Sequence, residues 1–238
     1  MTVRDASTVV LLRDGASGVE AWLLTRVARM AFAAGMTVFP GGRVEASDAD
    51  LPWSGPIPPA DAAMVGAAVR ETFEETGVLL GVAGARLTPE LSAARADVEA
   101  GRIGFGEVLR SHGATVDGSG LHPWARWVTP EGETRRYDTR FFVAALPSGA
   151  APAAVTSEAA HAGWLGVAMA LAENERGERA MMPPTIVTLR SIAEFGTVAD
   201  VIAAAPGRSL EPVRPVLHLD ADGARVELPD GTSMRFSV

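Results

Sequence analysis

Short apolar runs closed by turn residues mark the start of the chain. Thr8 to Arg13 and Glu20 to Arg26 read as two strands, and Asp14-Gly-Ala-Ser-Gly between them reads as a hairpin connection. Beyond Asp61 the period lengthens to that of a helix. Val65, Val69, Thr72 and Phe73 recur on one face of a helix of about four turns, with Asp61 as its N-cap and Gly77 as its stop. Two further helices are predicted over Leu87 to Ala100 and Phe105 to His112, closed by Gly101 and Gly113. Tyr137 to Leu146 predicts a central strand, with Asp138 and Arg140 on the side away from Phe141. Helices over Pro183 to Phe195 and Val198 to Ala204 follow. A hairpin of Val216 to Asp220 and Arg225 to Leu228 around Ala-Asp-Gly closes the chain.

The first of these helices carries a conflict on its other face. Glu71 and Glu75 fall roughly opposite Phe73 at about 100° per residue, and Glu74 sits to one side near Arg70. Glu71 and Glu75 are a like-charge i, i+4 pair, costing about 0.2–0.5 kcal/mol, at the electronegative end of the helix. Within helical reach Arg70 is the one positive charge. Hard divalent cations take oxygen ligands, so a cation facing a phosphate-bearing substrate would resolve the crowding. A solvated charge run is the bland alternative for an isolated E-x-x-E-E.

Composition narrows the classes. The 238 residues are 47% hydrophobic and 21% charged, which predicts a folded globular chain with a substantial core. A net charge of −8 argues against broad binding to nucleic acid or anionic membrane, so an anionic substrate needs local arginines and metal. There is no cysteine and no lysine, which excludes disulfides, thiol catalysis and lysine Schiff bases. No run reaches the ~18 apolar residues of a membrane span, and Met1-Thr-Val-Arg-Asp shows no signal region. A cytoplasmic enzyme is expected. The four histidines are scattered without ligand spacing and the five tryptophans read as packing, with Trp53 able to border a pocket.

Upstream of the acidic helix stands Phe39-Pro40-Gly41-Gly42-Arg43-Val44-Glu45. Together the two stretches resemble the box of the Nudix hydrolase family, G-x5-E-x7-R-E-U-x-E-E-x-G-U with U aliphatic. Gly42 matches the first glycine, and Arg70, Glu71, Glu74, Glu75, Gly77 and Val78 match the second half. Three departures stand out. Asp48 replaces the first glutamate, Thr72 replaces an aliphatic residue, and twenty-one residues separate Asp48 from Arg70 where the pattern has seven. The additional residues include the proline-rich Leu51-Pro-Trp-Ser-Gly-Pro-Ile-Pro-Pro. Leu23-Leu24-Thr25 and Gly35-x-x-x-Phe39-Pro40-Gly41-Gly42 resemble the region before the box in coenzyme A diphosphatases. That pattern's arginine would fall at Ala31, and Arg29 stands two positions away. The stretches from Leu121 and Arg135 extend the resemblance to the subgroup whose box is interrupted by an insertion.

The resemblance implies a Nudix α/β/α sandwich: a mixed sheet between helices, with a loop-helix-loop box. It is expected as one domain over 1–238, with an insertion at about 49–62 and a C-terminal extension at about 183–238. It further implies that Glu74 and Glu75, with Glu71 and a backbone carbonyl near Gly41, hold Mg²⁺ or Mn²⁺, while Arg70 orients a glutamate. Gly42 allows close approach of the backbone, Arg26 and Arg29 are candidate phosphate contacts, and Glu158 is a further ligand or general base. Arg140 either grips phosphate or pairs with Asp138 to fix its strand. The implied reaction is hydrolysis of a nucleoside diphosphate linked to another moiety, with coenzyme A or acyl-coenzyme A first, giving 3′,5′-ADP and 4′-phosphopantetheine. ADP-ribose or NADH is the alternative small-molecule substrate, and a non-catalytic nucleotide sensor is the alternative class. The family resemblance also allows a homodimer.

Overall fold

The computed structural model describes residues 2–27, 35–55, 57, 59–84, 88–153, 159–220 and 223–236. The opening hairpin is longer than predicted: β1 runs Arg4–Gly15 and β2 Gly18–Arg26, with Gly15 paired to Gly18 across a two-residue turn. The two strands then part. β2 takes up the two residues of β3 (Thr37–Val38), while β1 takes up β4 (Gly41–Arg43) through Ala6↔Arg43, Ser7↔Gly42 and Thr8↔Gly41. The Phe39-Pro40 step bridges the gap, and the Pro40 carbonyl accepts from the Val9 N–H at 2.9 Å. The glycine turn is therefore built into the sheet.

A 3-10 turn over Ala46–Asp50 leads to α1, Pro59–Thr76. Asp61 lies in its first turn and does not cap it; its carboxylate accepts from Arg140 instead. Gly77 ends the helix as expected, in the left-handed region at φ +74°. The chain continues through β5 (Val82–Ala83), α2 (Pro89–Glu99), α3 (Phe105–Ser111), β6 (Thr115–Val116), β7 (His122–Val128), β8 (Tyr137–Ala145) and β9 (Ala159–Gly166). The helices α4 (Val167–Glu175), α5 (Pro183–Ile192) and α6 (Val198–Ala204) follow. The predicted C-terminal hairpin is a three-stranded sheet, because β10 (Val216–Asp220) and β11 (Gly223–Glu227) are joined by β12 (Ser233–Phe236).

Among the described residues seven strands form the main sheet, with β8 parallel to β1 and the other pairings antiparallel. Alternation along β1 and β8 divides the core. Val9, Phe142 and Ala144 meet Val65, Val69 and Phe73 of α1, with α2 and α3 behind. Val10, Leu12, Phe141 and Val143 meet α4, α5, α6 and β11 on the other face. This is the expected helix, mixed sheet, helix sandwich. Phe73 is fully buried, contributing about 1.5–3 kcal/mol and setting how α1 is rotated.

Within the insertion Pro52 and Trp53 are anchored to the rest of the domain. Trp53 pairs with Val116 in a parallel bridge, the Val116 N–H donates to the Pro52 carbonyl at 2.8 Å, and the Trp53 indole donates to the Ala49 carbonyl at 2.9 Å. Trp53 therefore ties the insertion to β6. No helix among the described residues is long and apolar enough to cross a membrane.

Candidate active site

With Phe73 fixed in the core, the opposite side of α1 faces β4 rather than solvent. At Gly42 a Cβ would run into the Glu71 carboxylate, and at Gly41 (φ +156°) one would meet Thr8 Cα at 2.7 Å. Gly42 lets β4 touch α1, and Gly41 lets it lie close against β1. Glu75, 7% exposed, accepts the Gly41 N–H at 2.9 Å. Gly41 thus meets a box glutamate through its N–H.

Arg70 stands at the centre of the cluster. Its Nε and Nη2 donate to the two oxygens of Asp48 at 2.8 and 3.0 Å, and Nη2 also donates to the Arg43 carbonyl at 2.9 Å. Nη1 donates to Glu71 at 2.9 Å and to Glu74 at 3.1 Å. These bonds use every N–H of the guanidinium. Arg70 has no donor left for substrate, and its hydrogen bonds join Asp48, Glu71 and Glu74.

Asp48 is buried at 1% exposure and does belong to the site. Its second oxygen also accepts the Glu45 N–H at 2.7 Å, which fixes the 3-10 turn. That turn reaches α1 because residue 66 is glycine: a Cβ there would overlap the Asp48 carbonyl. One stretch of α1, Gly66 to Arg70, therefore receives both backbone and side chain of Asp48. The insertion lengthens the chain between Asp48 and Arg70 without separating them.

Three carboxylates around one guanidinium leave the cluster net anionic. Burial pushes Glu71 up to about 7, against the opposing pull of Arg70, and Glu74 adds to the rise. Glu74 is raised for the same first reason. For Arg70 burial works against the charge, yet the hydrogen bond to Asp48 and the fields of Glu71, Asp48 and Glu74 hold it above its ordinary value. Excess negative charge on hard oxygen donors suits a divalent cation. Among the described residues no three acidic or histidine side chains are gathered as metal ligands, since Glu71 and Glu74 are turned onto Arg70 and Glu75 onto Gly41. The donors fit such an ion in kind and number once these carboxylates turn.

Arg140 is elsewhere. It donates to Asp61 at 2.7 Å, in the first turn of α1, ten residues or about 15 Å along the helix from Glu71. Asp138 is held by Arg126 of β7 at 2.8 and 2.7 Å, so the expected Asp138–Arg140 pair is replaced by two pairs to neighbouring elements. Arg26 ends β2, where its N–H donates to the Met36 carbonyl and its carbonyl accepts from Gly35. Arg29 and Glu158 lie outside the described residues.

One residue escaped the sequence reading. Arg95 of α2 is 8% exposed and its Nε donates to the Glu74 carbonyl at 2.7 Å. The signal was present: Leu91, Arg95 and Val98 share one buried helical stripe, where an arginine is out of place.

A mixed sheet between helices, with a glycine turn laid against the carboxylates of a buried-arginine helix, defines a Nudix hydrolase. Residues 52–192 match the NUDT19 Nudix domain, and the chain belongs to that family. It is similar to acyl-coenzyme A diphosphatase NUDT19 of Homo sapiens, 29% identical over 269 residues, covering 90% of this chain and 72% of the relative. The Gallus gallus protein of the same name is 27% identical over 296 residues, covering 95% and 78%. Among solved structures, a NUDIX hydrolase from Alicyclobacillus acidocaldarius superposes with a TM-score of 0.73 at 28% identity, covering 89% of this chain and 99% of that one.

Proposed function

We propose that this Nudix hydrolase cleaves the diphosphate bond of coenzyme A or its acyl derivatives with Mg²⁺ or Mn²⁺, releasing 3′,5′-ADP and the 4′-phosphopantetheine moiety. One observation carries the substrate: relatives named acyl-coenzyme A diphosphatase align over nine-tenths of the chain. Residues 1–238 act as a single domain in this reading, which the shared core of Val10, Ile186, Val201 and Val226 supports.

Glu71, Glu74 and Glu75, with the Gly41 carbonyl, would hold the metal. When bound, the ion neutralises diphosphate charge and makes a water acidic enough to attack phosphorus. The chain's own residues prepare for this. Arg70 and Asp48 hold Glu71 and Glu74 side by side, and Gly42 leaves the Glu71 carboxylate room to lie against the backbone of β4. In the metal-free protein burial raises the proton affinity of Glu71, against the pull of Arg70. Arg26 and Arg29 remain candidate phosphate contacts, and Glu158 a candidate further metal ligand or general base.

The test is hydrolysis of coenzyme A, acetyl-coenzyme A, ADP-ribose, NADH and diadenosine polyphosphates with each metal, products being identified by mass. Coenzyme A turnover far above the rest, releasing 3′,5′-ADP, is expected. Glu74→Gln should lower it at least about 100-fold, the upper range for loss of a residue that supports a metal site. Preference for ADP-ribose or NADH would overturn the substrate, metal-independent turnover would overturn the metal, and absent turnover on every diphosphate would favour a nucleotide sensor.

A further inference from the structure

We infer that Arg95, outside the box, is a positioning residue that fixes the catalytic end of α1. The last carbonyls of a helix have no partner within it and need donors from elsewhere. Here they are met in turn. Phe73 accepts from the Gly77 N–H at 2.8 Å, Thr76 accepts from the Ala153 N–H at 2.9 Å, and Glu74 accepts from Arg95. The guanidinium lies against the bare Cα of Gly77, and Nη2 reaches the Ala153 carbonyl at 3.5 Å. One side chain of α2 thereby joins the end of α1 to the segment that returns at Ala153.

The charge has a purpose as well as the donors. Glu71, Glu74 and Glu75 crowd the electronegative end of the helix dipole, and a cation there is favourable. Arg70 meets the carboxylates from within α1. Arg95 meets the backbone that carries Glu74 and also feels the charges of Glu75 and Glu99. Burying an arginine in the stripe of Leu91 and Val98 is costly for packing alone, since an aliphatic residue would fill it. The carbonyl it holds gives that arginine a reason to be there: a shift of Glu74 by even a fraction of an ångström changes the ligand set.

This role rests on the proposed metal-dependent hydrolysis, and the experiment separates the two. Arg95→Met, Arg95→Lys and the exposed control Arg102→Met are compared in three measurements: steady-state hydrolysis, Mn²⁺ binding without substrate, and amide hydrogen exchange in chelator. For Arg95→Met, kcat should fall about 10- to 100-fold and Mn²⁺ affinity by a similar factor, the range for outer-shell partners, while KM changes less than about threefold. Exchange at Gly77, Val78 and Ala153 should accelerate, Arg95→Lys should recover part of each loss, and Arg102→Met should match wild type. If Arg95→Met lowers the melting temperature but leaves kcat, Mn²⁺ affinity and these amides unchanged per folded molecule, the positioning role is wrong. Should Arg95→Met fail to fold, Arg95→Lys carries the same decision. Wild-type protein silent on every diphosphate would defeat the proposed reaction, while Mn²⁺ binding and exchange would still decide Arg95.

Discussion

Arg70 and Arg126 each grip an aspartate through two nearly parallel hydrogen bonds, yet they are different kinds of residue. Arg126 and Asp138 form a one-to-one pair between adjacent strands, with the arginine side chain 35% exposed. Arg70 is 7% exposed at the side chain and meets Asp48, Glu71 and Glu74 at once. The first pair is balanced and close to water. The second is buried and leaves negative charge over. Geometry alone would rank the two arginines together, whereas charge stoichiometry and burial separate a strand staple from a buried, net-anionic cluster.

Removing each arginine breaks the comparison most sharply. Arg70→Met strands three largely buried carboxylates and should cost about 3–5 kcal/mol in urea unfolding. Arg126→Met leaves one partly solvated aspartate and should cost less than about 1 kcal/mol. Equal losses would mean that the buried cluster is no more than a structural ion pair.

The next largest contrast is in pH. Glu71 has its folded-state pKa raised from 4.5 to about 7, so the folded protein holds this proton more tightly than the unfolded chain. Its contribution to stability is full below about pH 4.5 and is lost as pH rises through about 7. In chelator this should remove about 3 kcal/mol across that window, with Glu74 acting in the same direction. Glu71→Gln should flatten the slope, and Mg²⁺ should oppose it. Chemical denaturation at a series of pH values measures both. Asp48→Asn, which keeps the shape but loses the charge beneath Arg70, should cost about 1–3 kcal/mol and lower turnover with it.

The same comparison explains what was legible in the sequence. The stop of α1, its apolar face and the acidic run were readable because local spacing fixes them: Gly77 stops the helix and Phe73 turns it, while its start lies at Pro59 rather than at the predicted Asp61. What spacing could not reach was register across the sheet. Whether Asp138 meets Arg140 two residues on or Arg126 on the next strand depends on how β7 pairs with β8, a bulge at Pro123/Ala125 included. Asp48 was obscured by the insertion, which changes chain length but not the approach that Gly66 permits. Arg95 was visible only as a charge in an apolar stripe. Its partner, a backbone carbonyl of another helix, leaves no trace in residue type.

The smallest effect tests the balanced member of the comparison. The hydrogen bond from Arg126 holds Asp138 below its ordinary 3.8, so the folded state binds this proton less readily than the unfolded chain. Its contribution is present above about pH 4 and is lost as pH falls through the lowered folded-state value, the reverse of the Glu71 arm. The pair is partly solvated, so screening keeps the gain to a few tenths of a kcal/mol and makes it sensitive to salt. Arg126→Met should therefore remove a shallow acid-side slope at low ionic strength and change nothing between pH 5 and 8. An acid slope that survives Arg126→Met unchanged would mean that the Arg126–Asp138 pair is not its source, and the pair would then be a staple in geometry alone.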